Sequence, residues 1–318
     1  MGQQRMRKIS RRTAIGEVSA ALGAAAIAPA TVSAQGRVVR NGRLKQSVSR
    51  WPYIDIPFPT FCEAVAEMGL PAIDLLEENE WDIAAEYGLI CSMGYGGGGT
   101  IEDGLNVRAN HDEIVANLQQ AMPRAVERRV PNLITFFGNR RGMSDPEAIR
   151  NCVDGLRRLA PSAEEHGITI CVELLNSKVD HPDYQGDRTP FGAEIIRRVG
   201  SPRVKLLNDI YHMQIMEGDV IRTIRDNAES IAHYHTGGVP GRNELDENQE
   251  LQWPAICRAI IDTGFDGYVA HEFKPTRDPL TSLREAVALC DVLASVLSHF
   301  LQELDIDYGK PASCGACE

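Results

Sequence analysis

Between residues 45 and 273 the chain alternates short, almost continuously apolar runs with longer stretches in which apolar residues recur every three or four positions. The short runs are rich in Val, Ile, Leu and aromatic residues and read as buried strands; the longer stretches read as amphipathic helices. Eight runs stand out: KQSVSRW (45–51), AIDLLE (72–77), GLICSMGYG (88–96), NLITFFG (132–138), ITICVELLN (168–176), VKLLNDI (204–210), IAHYHTGG (231–238) and GYVAHEF (267–273). The helical stretches include HDEIVANLQQAMPRAVERR and DPEAIRNCVDGLRRLAPSAEEHG, the second opened by Ser144 and Asp145 at an N-cap. Eight strand–helix units in about 250 residues predict an α/β protein built as a single (β/α)8 barrel, because a doubly wound sheet rarely needs so many parallel strands. No Pro/Ser-rich linker interrupts the alternation, so one domain is expected over residues 35–305, with residues 306–318 as a C-terminal tail.

In such a barrel the chemistry sits at the C-terminal ends of the strands. The fifth run carries Glu173, the sixth ends at Asp209, the seventh carries His233 and His235 on one face, and the eighth ends in His271 and Glu272. Any one of these is ordinary alone: a single His on an apolar face is usually a hydrogen-bonded core residue, and a single Glu at a strand end usually starts a loop. A charge at the end of an apolar strand is costly unless it is paired or bound to a cation, and here four consecutive strands carry that cost. Glu173, Asp209, His235 and Glu272 make an oxygen-rich set suited to Mn²⁺, Mg²⁺ or Co²⁺, with Zn²⁺ also compatible. His212, just past the sixth strand, can lean over the mouth, and His233 is expected to support the ligands or face the substrate. The run NSKVDHPDYQGDRTP after the fifth strand reads as a lid or specificity loop, or as an exposed acidic loop without a role.

FFGNRRGMSD after the fourth strand, CVELLN at the fifth, NDIYHMQ at the sixth, HYHTGGVPGRNE at the seventh and HEFKP at the eighth resemble the hydroxypyruvate isomerase family of the xylose isomerase-like TIM barrels. The resemblance implies that Glu173, Asp209 and Glu272 bind a divalent metal, that the two glutamates also form the acid/base pair, and that His212 and Arg242 touch the substrate. The activity expected is isomerisation of a small hydroxy-carbonyl compound or sugar through an enediolate, with Glu173 and Glu272 exchanging a proton. Arg242 or Lys274 would hold a distal carboxylate or hydroxyl. Small cytoplasmic members tend to carry Gln where His235 stands, whereas related ketose 3-epimerases carry His, so a ketose 3-epimerase is an alternative. A metal-dependent lyase or hydrolase acting on a sugar derivative is another. Nuclease relatives gather extra His ligands, for which the early strands offer only Glu77 and His111. Related barrels often form dimers or tetramers, and a homo-oligomer is compatible with this reading.

Residues 1–34 stand apart. A basic start, an Ala-rich apolar middle and Val32-Ser33-Ala34 read as a cleavable export signal, with Arg11 and Arg12 as a twin-arginine pair. The apolar stretch is short of the roughly 20 residues a spanning helix needs. Removing the segment takes five Lys/Arg and one Glu with it and moves the net charge from −11 to −15. Such acidity opposes nucleic-acid binding, and no later segment is long and apolar enough to span a bilayer. A soluble enzyme, periplasmic or otherwise exported, with a small-molecule partner is therefore expected. Cys91 and Cys171 read as core; Cys314 and Cys317, in a CxxC spacing, read as a local disulfide or an idle pair ahead of a redox centre. Replacing Arg11 and Arg12 with Lys should leave the precursor in the cytoplasm on cell fractionation, and unchanged export would point to another route.

Overall fold

Each of the eight apolar runs contains a parallel strand. The computed structural model describes residues 36–294. In chain order the elements are β1 (Lys45–Val48), α1 (Phe58–Met68), β2 (Ala72–Ile73), α2 (Glu78–Glu86), β3 (Ile90–Cys91), α3 (His111–Glu127), β4 (Asn132–Phe136), α4 (Asp145–His166), β5 (Thr169–Leu174), α5 (Thr189–Val199), β6 (Val204–Asp209), α6 (Ile210–Met216), α7 (Val220–Asp226), β7 (Ile231–Thr236), α8 (Trp253–Asp262), β8 (Tyr268–His271) and α9 (Pro279–Cys290). The expected signal segment 1–34 and the tail with Cys314 and Cys317 lie outside the described residues.

Six strands form a ladder in the order β1, β8, β7, β6, β5, β4, and β2 pairs with β3. Bridges from Ser49 to Asp74 and from Gly94 to Leu133 join the two pieces at both ends, so the strands close in chain order. The (β/α)8 barrel expected from the alternation is the fold observed. Strands inside such a barrel are covered on both faces, which is why their sequences are continuously apolar; every residue of β4 and β5 is buried. Each helix covers the outside with one stripe. In α4 the stripe includes Ala148, Cys152, Leu156, Leu159 and Ala163, and the helix ends at Gly167, whose φ of 68° turns the chain toward β5. Ser144 holds the N-cap position of α4, but its side chain makes no capping hydrogen bond. The six cysteines among the described residues are buried and free. Among the same residues no helix is long and apolar enough to cross a membrane.

The segment between β3 and α3 shapes the mouth. A Cβ on Gly98 would stand 2.2 Å from the Ile134 carbonyl oxygen, and one on Gly104 2.4 Å from that of Phe136. Glycine therefore lets this loop lie flat on β4 and its C-terminal end, and Tyr95 and Ile101 reach the cavity at the strand ends. Gly98→Ala should lower the urea-unfolding free energy by about 1–3 kcal/mol, the usual cost of overpacking. Gly36→Ala, which meets nothing within 4 Å, should change it by less than about 0.5 kcal/mol.

Candidate metal centre

The ends of β5 to β8 bring four donor groups together. Ligand-type atoms of Glu173, Asp209, His235 and Glu272 all lie within 4.8 Å of one another, and all four residues are buried. Strand register explains the meeting: Asp209 and His235 are partners across β6 and β7, Glu173 is next to last in β5, and Glu272 directly follows β8. Asp209 is also the N-cap of α6, its carboxylate accepting from the His212 backbone N–H at 3.2 Å. The sixth apolar run stops at Asp209 because this one residue closes a strand, opens a helix and faces the mouth.

His235 Nδ1 lies 2.5 Å from Glu272 Oε2, 3.5 Å from Glu173 Oε1 and 3.9 Å from Asp209 Oδ2. Despite these approaches it makes no hydrogen bond of acceptable geometry, so a buried nitrogen faces three carboxylates unpartnered. Its Nε2 lies 2.9 Å from Asp74 Oδ2. Arg242 enters from the loop after β7, and its Nη2 donates to Asp209 Oδ2 at 2.7 Å and to Glu272 Oε2 at 2.5 Å.

The cluster is short of positive charge. Asp74, Glu173, Asp209 and Glu272 are four carboxylates, against which Arg242 and a protonated His235 set two cations. Like charges 4 Å apart repel by about 4 kcal/mol at an effective dielectric constant of roughly 20, enough to make the imbalance costly. Burial pushes the Asp209 carboxyl up, to about 7, against the pull of Arg242. Burial also opposes charge on Glu272, but Arg242 and His235 outweigh it and hold that carboxyl well below its ordinary range. His235 moves the other way: burial is outweighed by Glu272 and Asp74, which hold the imidazole well above its usual value. Three carboxylates and an imidazole with an unpartnered nitrogen, in a region of excess negative charge, fit a divalent cation.

The other expected site residues divide. Arg242 and Lys274 line the cavity beside Glu173 and Glu272, which has a volume of about 350 Å³. His212 does not line it. Fully buried, it has Nδ1 2.6 Å from Asn176 Nδ2 and Nε2 3.0 Å from Arg242 Nη1, so it braces Arg242 from behind where a substrate contact was expected. Burial first and then Arg242 hold its pKa well below the ordinary value, which keeps it neutral. His233 is withdrawn too, with Nε2 3.1 Å from Asp74 Oδ1 and its ring edge-on to His235. Of the two positions expected for it, the geometry leaves the supporting one. His271 is turned away, with Nε2 2.9 Å from Gln46 Oε1.

Sequence reasoning missed Asp74 and Trp51. Glu77 and His111, the early candidates, have local duties: Glu77 forms a capping box with Glu80 on α2, and His111 Nε2 meets the Leu105 carbonyl at 2.8 Å. Asp74 lies inside the second apolar run, between Ile73 and Leu75, where Glu77 is the acid that ends the run, and it is fully buried. Trp51, the aromatic that closes the first run, lines the cavity and donates from Nε1 to Glu272 Oε1 at 2.6 Å. The loop after β5 forms part of the cavity wall through Asp180 and His181. It is tied down where Tyr184 donates to the Glu173 carbonyl at 2.9 Å.

The chain belongs to the xylose isomerase-like TIM barrel family, whose sequence model matches residues 62–293. A human protein provisionally named a hydroxypyruvate isomerase is 30% identical over 131 residues, which are 41% of this chain and 47% of that protein. The chain thus spans about half the length of the first curated relatives it matches. The 2-oxo-tetronate isomerase of Pectobacterium atrosepticum is 26% identical over 234 residues, covering 70% of this chain and 88% of that one. Among solved structures, an AP endonuclease, family 2, from Brucella melitensis superposes with a TM-score of 0.69 at 23% identity, over 76% of this chain and 97% of the other. That likeness speaks to the fold alone.

One carboxylate ties together the two loops that carry the cationic residues Arg242 and Lys274. The Lys274 backbone N–H donates to the Arg242 carbonyl at 2.6 Å. Two residues on from each, Glu244 accepts from the backbone N–H of Thr276 at 2.7 Å, from its hydroxyl at 2.9 Å and from Ser282 Oγ at 2.9 Å. Burial opposes the charge on Glu244, but these donors outweigh it and hold the carboxyl down, to about 2. The folded value lies below the unfolded one of about 4.3, so the stabilisation is complete above that pH and is lost as pH falls through about 2. Glu244→Gln should cost about 1.5–3 kcal/mol at neutral pH. In urea titrations the gap between wild type and variant should narrow steadily below about pH 4, and a gap independent of pH would refute the charged role.

Proposed function

We propose that the protein is a divalent-metal-dependent isomerase of a small hydroxy-carbonyl compound or sugar, similar in chemistry to the hydroxypyruvate and 2-oxo-tetronate isomerases its relatives are named for. The observation that carries this reading is that Glu173 and Glu272 belong both to the four-donor cluster and to the cavity wall. A cation such as Mn²⁺, Mg²⁺ or Co²⁺, with Zn²⁺ also compatible, held by Glu173, Asp209, His235 and Glu272, would supply positive charge beside the substrate's adjacent oxygens and acidify the neighbouring C–H.

The chain's own residues then divide the work. One glutamate takes the proton from the carbon bearing the hydroxyl, and the other returns a proton to the former carbonyl carbon. The hydroxyl proton passes to the old carbonyl oxygen, so carbonyl and hydroxyl exchange places with no net change in protons. The indole N–H of Trp51 holds Oε1 of Glu272 and leaves Oε2 toward the cluster. Arg242 and Lys274 bind a distal carboxylate or hydroxyl, and Ile134, Phe136 and Leu175 give the cavity an apolar wall. His235 favours a second reading, ketose 3-epimerisation, in which the same two glutamates act on opposite faces of one carbon. Lyase or hydrolase action would share the cation but has less need of two proton-transfer carboxylates. Export by the twin-arginine route, which carries proteins already folded with their cofactor, belongs to the same proposal.

Protein incubated in D₂O with a panel of keto sugars and sugar acids separates these readings by NMR. Solvent deuterium at carbon with a migrated carbonyl marks isomerisation, deuterium with inverted configuration marks epimerisation, and cleavage without either would overturn both. Glu272→Gln and Glu173→Gln should each lower turnover by about 10² or more in folded protein. The double change should cost much less than the product of the singles. Wild-type turnover by metal-replete Glu272→Gln would sink the two-glutamate mechanism.

A further inference from the structure

We infer that Asp74 is a positioning residue for the cation site, fixing His235 so that Nδ1 faces Glu173, Asp209 and Glu272. The inference rests on the metal-dependent reading above. Asp74 stands just past the end of β2, is fully buried, and meets His235 Nε2 at 2.9 Å through Oδ2 and His233 Nε2 at 3.1 Å through Oδ1. The Ser92 hydroxyl donates to the same Oδ1 and lies 3.0 Å from the Ser47 hydroxyl. An ionised carboxylate can only accept, so its contact with His235 requires the proton on Nε2. An imidazole that binds a cation is neutral and carries one proton, so with that proton held on Nε2 it is the lone pair of Nδ1, on the side of the three carboxylates, that a cation would use in place of the second proton. Asp74 thereby selects the tautomer that a cation at the cluster needs.

Two further observations point the same way. The Asp74 backbone is clamped on both sides, its N–H donating to the Val48 carbonyl at 2.7 Å and its carbonyl accepting from the Arg50 N–H at 3.0 Å. The next residue, Leu75, sits at φ 54°, a left-handed conformation that a bulky side chain rarely adopts. Asp74 also adds a fourth carboxylate to an already acidic cluster. Charge balance alone disfavours it there, whereas orienting His235 gives it a use.

The test is the affinity of metal-stripped protein for Mn²⁺, followed by the electron paramagnetic resonance signal of the free ion. Asp74→Asn keeps the shape but exchanges one acceptor oxygen for a donor, and should weaken Mn²⁺ binding by about tenfold or more. In a His235→Gln background there is no imidazole to orient, so the same change should cost less than about threefold, as expected of a coupled pair. An equal loss in both backgrounds would overturn the inference, since Asp74 would then act by charge or packing alone. Ser92→Ala should reproduce the pattern on a smaller scale, and it decides the matter if Asp74→Asn fails to fold. Absence of Mn²⁺ binding by the wild type would remove the metal reading and this inference with it. Binding by the wild type that Asp74→Asn leaves intact would remove this inference alone.

Discussion

Repulsion among buried carboxylates is the constraint around which the mouth of this barrel is built. Asp74, Glu173, Asp209 and Glu272 come from or directly follow four different strands, and each lies less than a tenth exposed. Unbalanced, they would push those strands apart. The chain answers with Arg242, held at a left-handed φ of 59° that places its guanidinium against Asp209 and Glu272. A non-glycine residue in that region stores strain of order 1–3 kcal/mol. One guanidinium paired with two buried carboxylates sets its attraction against that backbone cost and against the desolvation of all three groups.

The supports of Arg242 show how far this requirement reaches. His212 backs the guanidinium from the first turn of α6, and the loop after β8 is tied to the Arg242 carbonyl through Lys274 and to Glu244 through Thr276. Asp209, which faces the same guanidinium, also caps α6 and so places His212. Strand end, helix start and two loops are thus coupled through a few hydrogen bonds. The apolar side of the cavity joins Ile134 and Phe136 of β4 to Tyr95 and Ile101, which stand on a loop that glycine allows to press against that strand. Strand ends supply the charged floor, and the wall combines β4 with irregular segments.

The fold was legible because a closed parallel barrel makes its strands continuously apolar and its helices one-sided, and both periods are visible in the chain. Even β2 and β3, two residues each, were marked by their apolar runs. The four clustered donors were legible for a related reason: an acid or histidine inside an apolar run stands out. What pattern could not reveal was which way the histidines face. His212 and His233 sit at positions from which either direction is open, and their orientation is decided by partners distant in sequence, Asp74 for His233 and Asn176 and Arg242 for His212. Asp74 was overlooked because its partner His235 is 161 residues away, so nothing local signals the contact.

The two cavity glutamates do not have equivalent surroundings. Glu272 accepts from Trp51 at Oε1 and from Arg242 at Oε2, and His235 lies against the same Oε2. Donors on both oxygens favour its ionised form and fix its direction. Glu173 is anchored through its backbone, where its carbonyl receives the Tyr184 hydroxyl, while its carboxylate lies 3.5 Å from His235. The donors are therefore unequal: Glu272 is oriented and held ionised by partners on both oxygens, whereas Glu173 is positioned through its backbone and its carboxylate is left facing the cavity and His235.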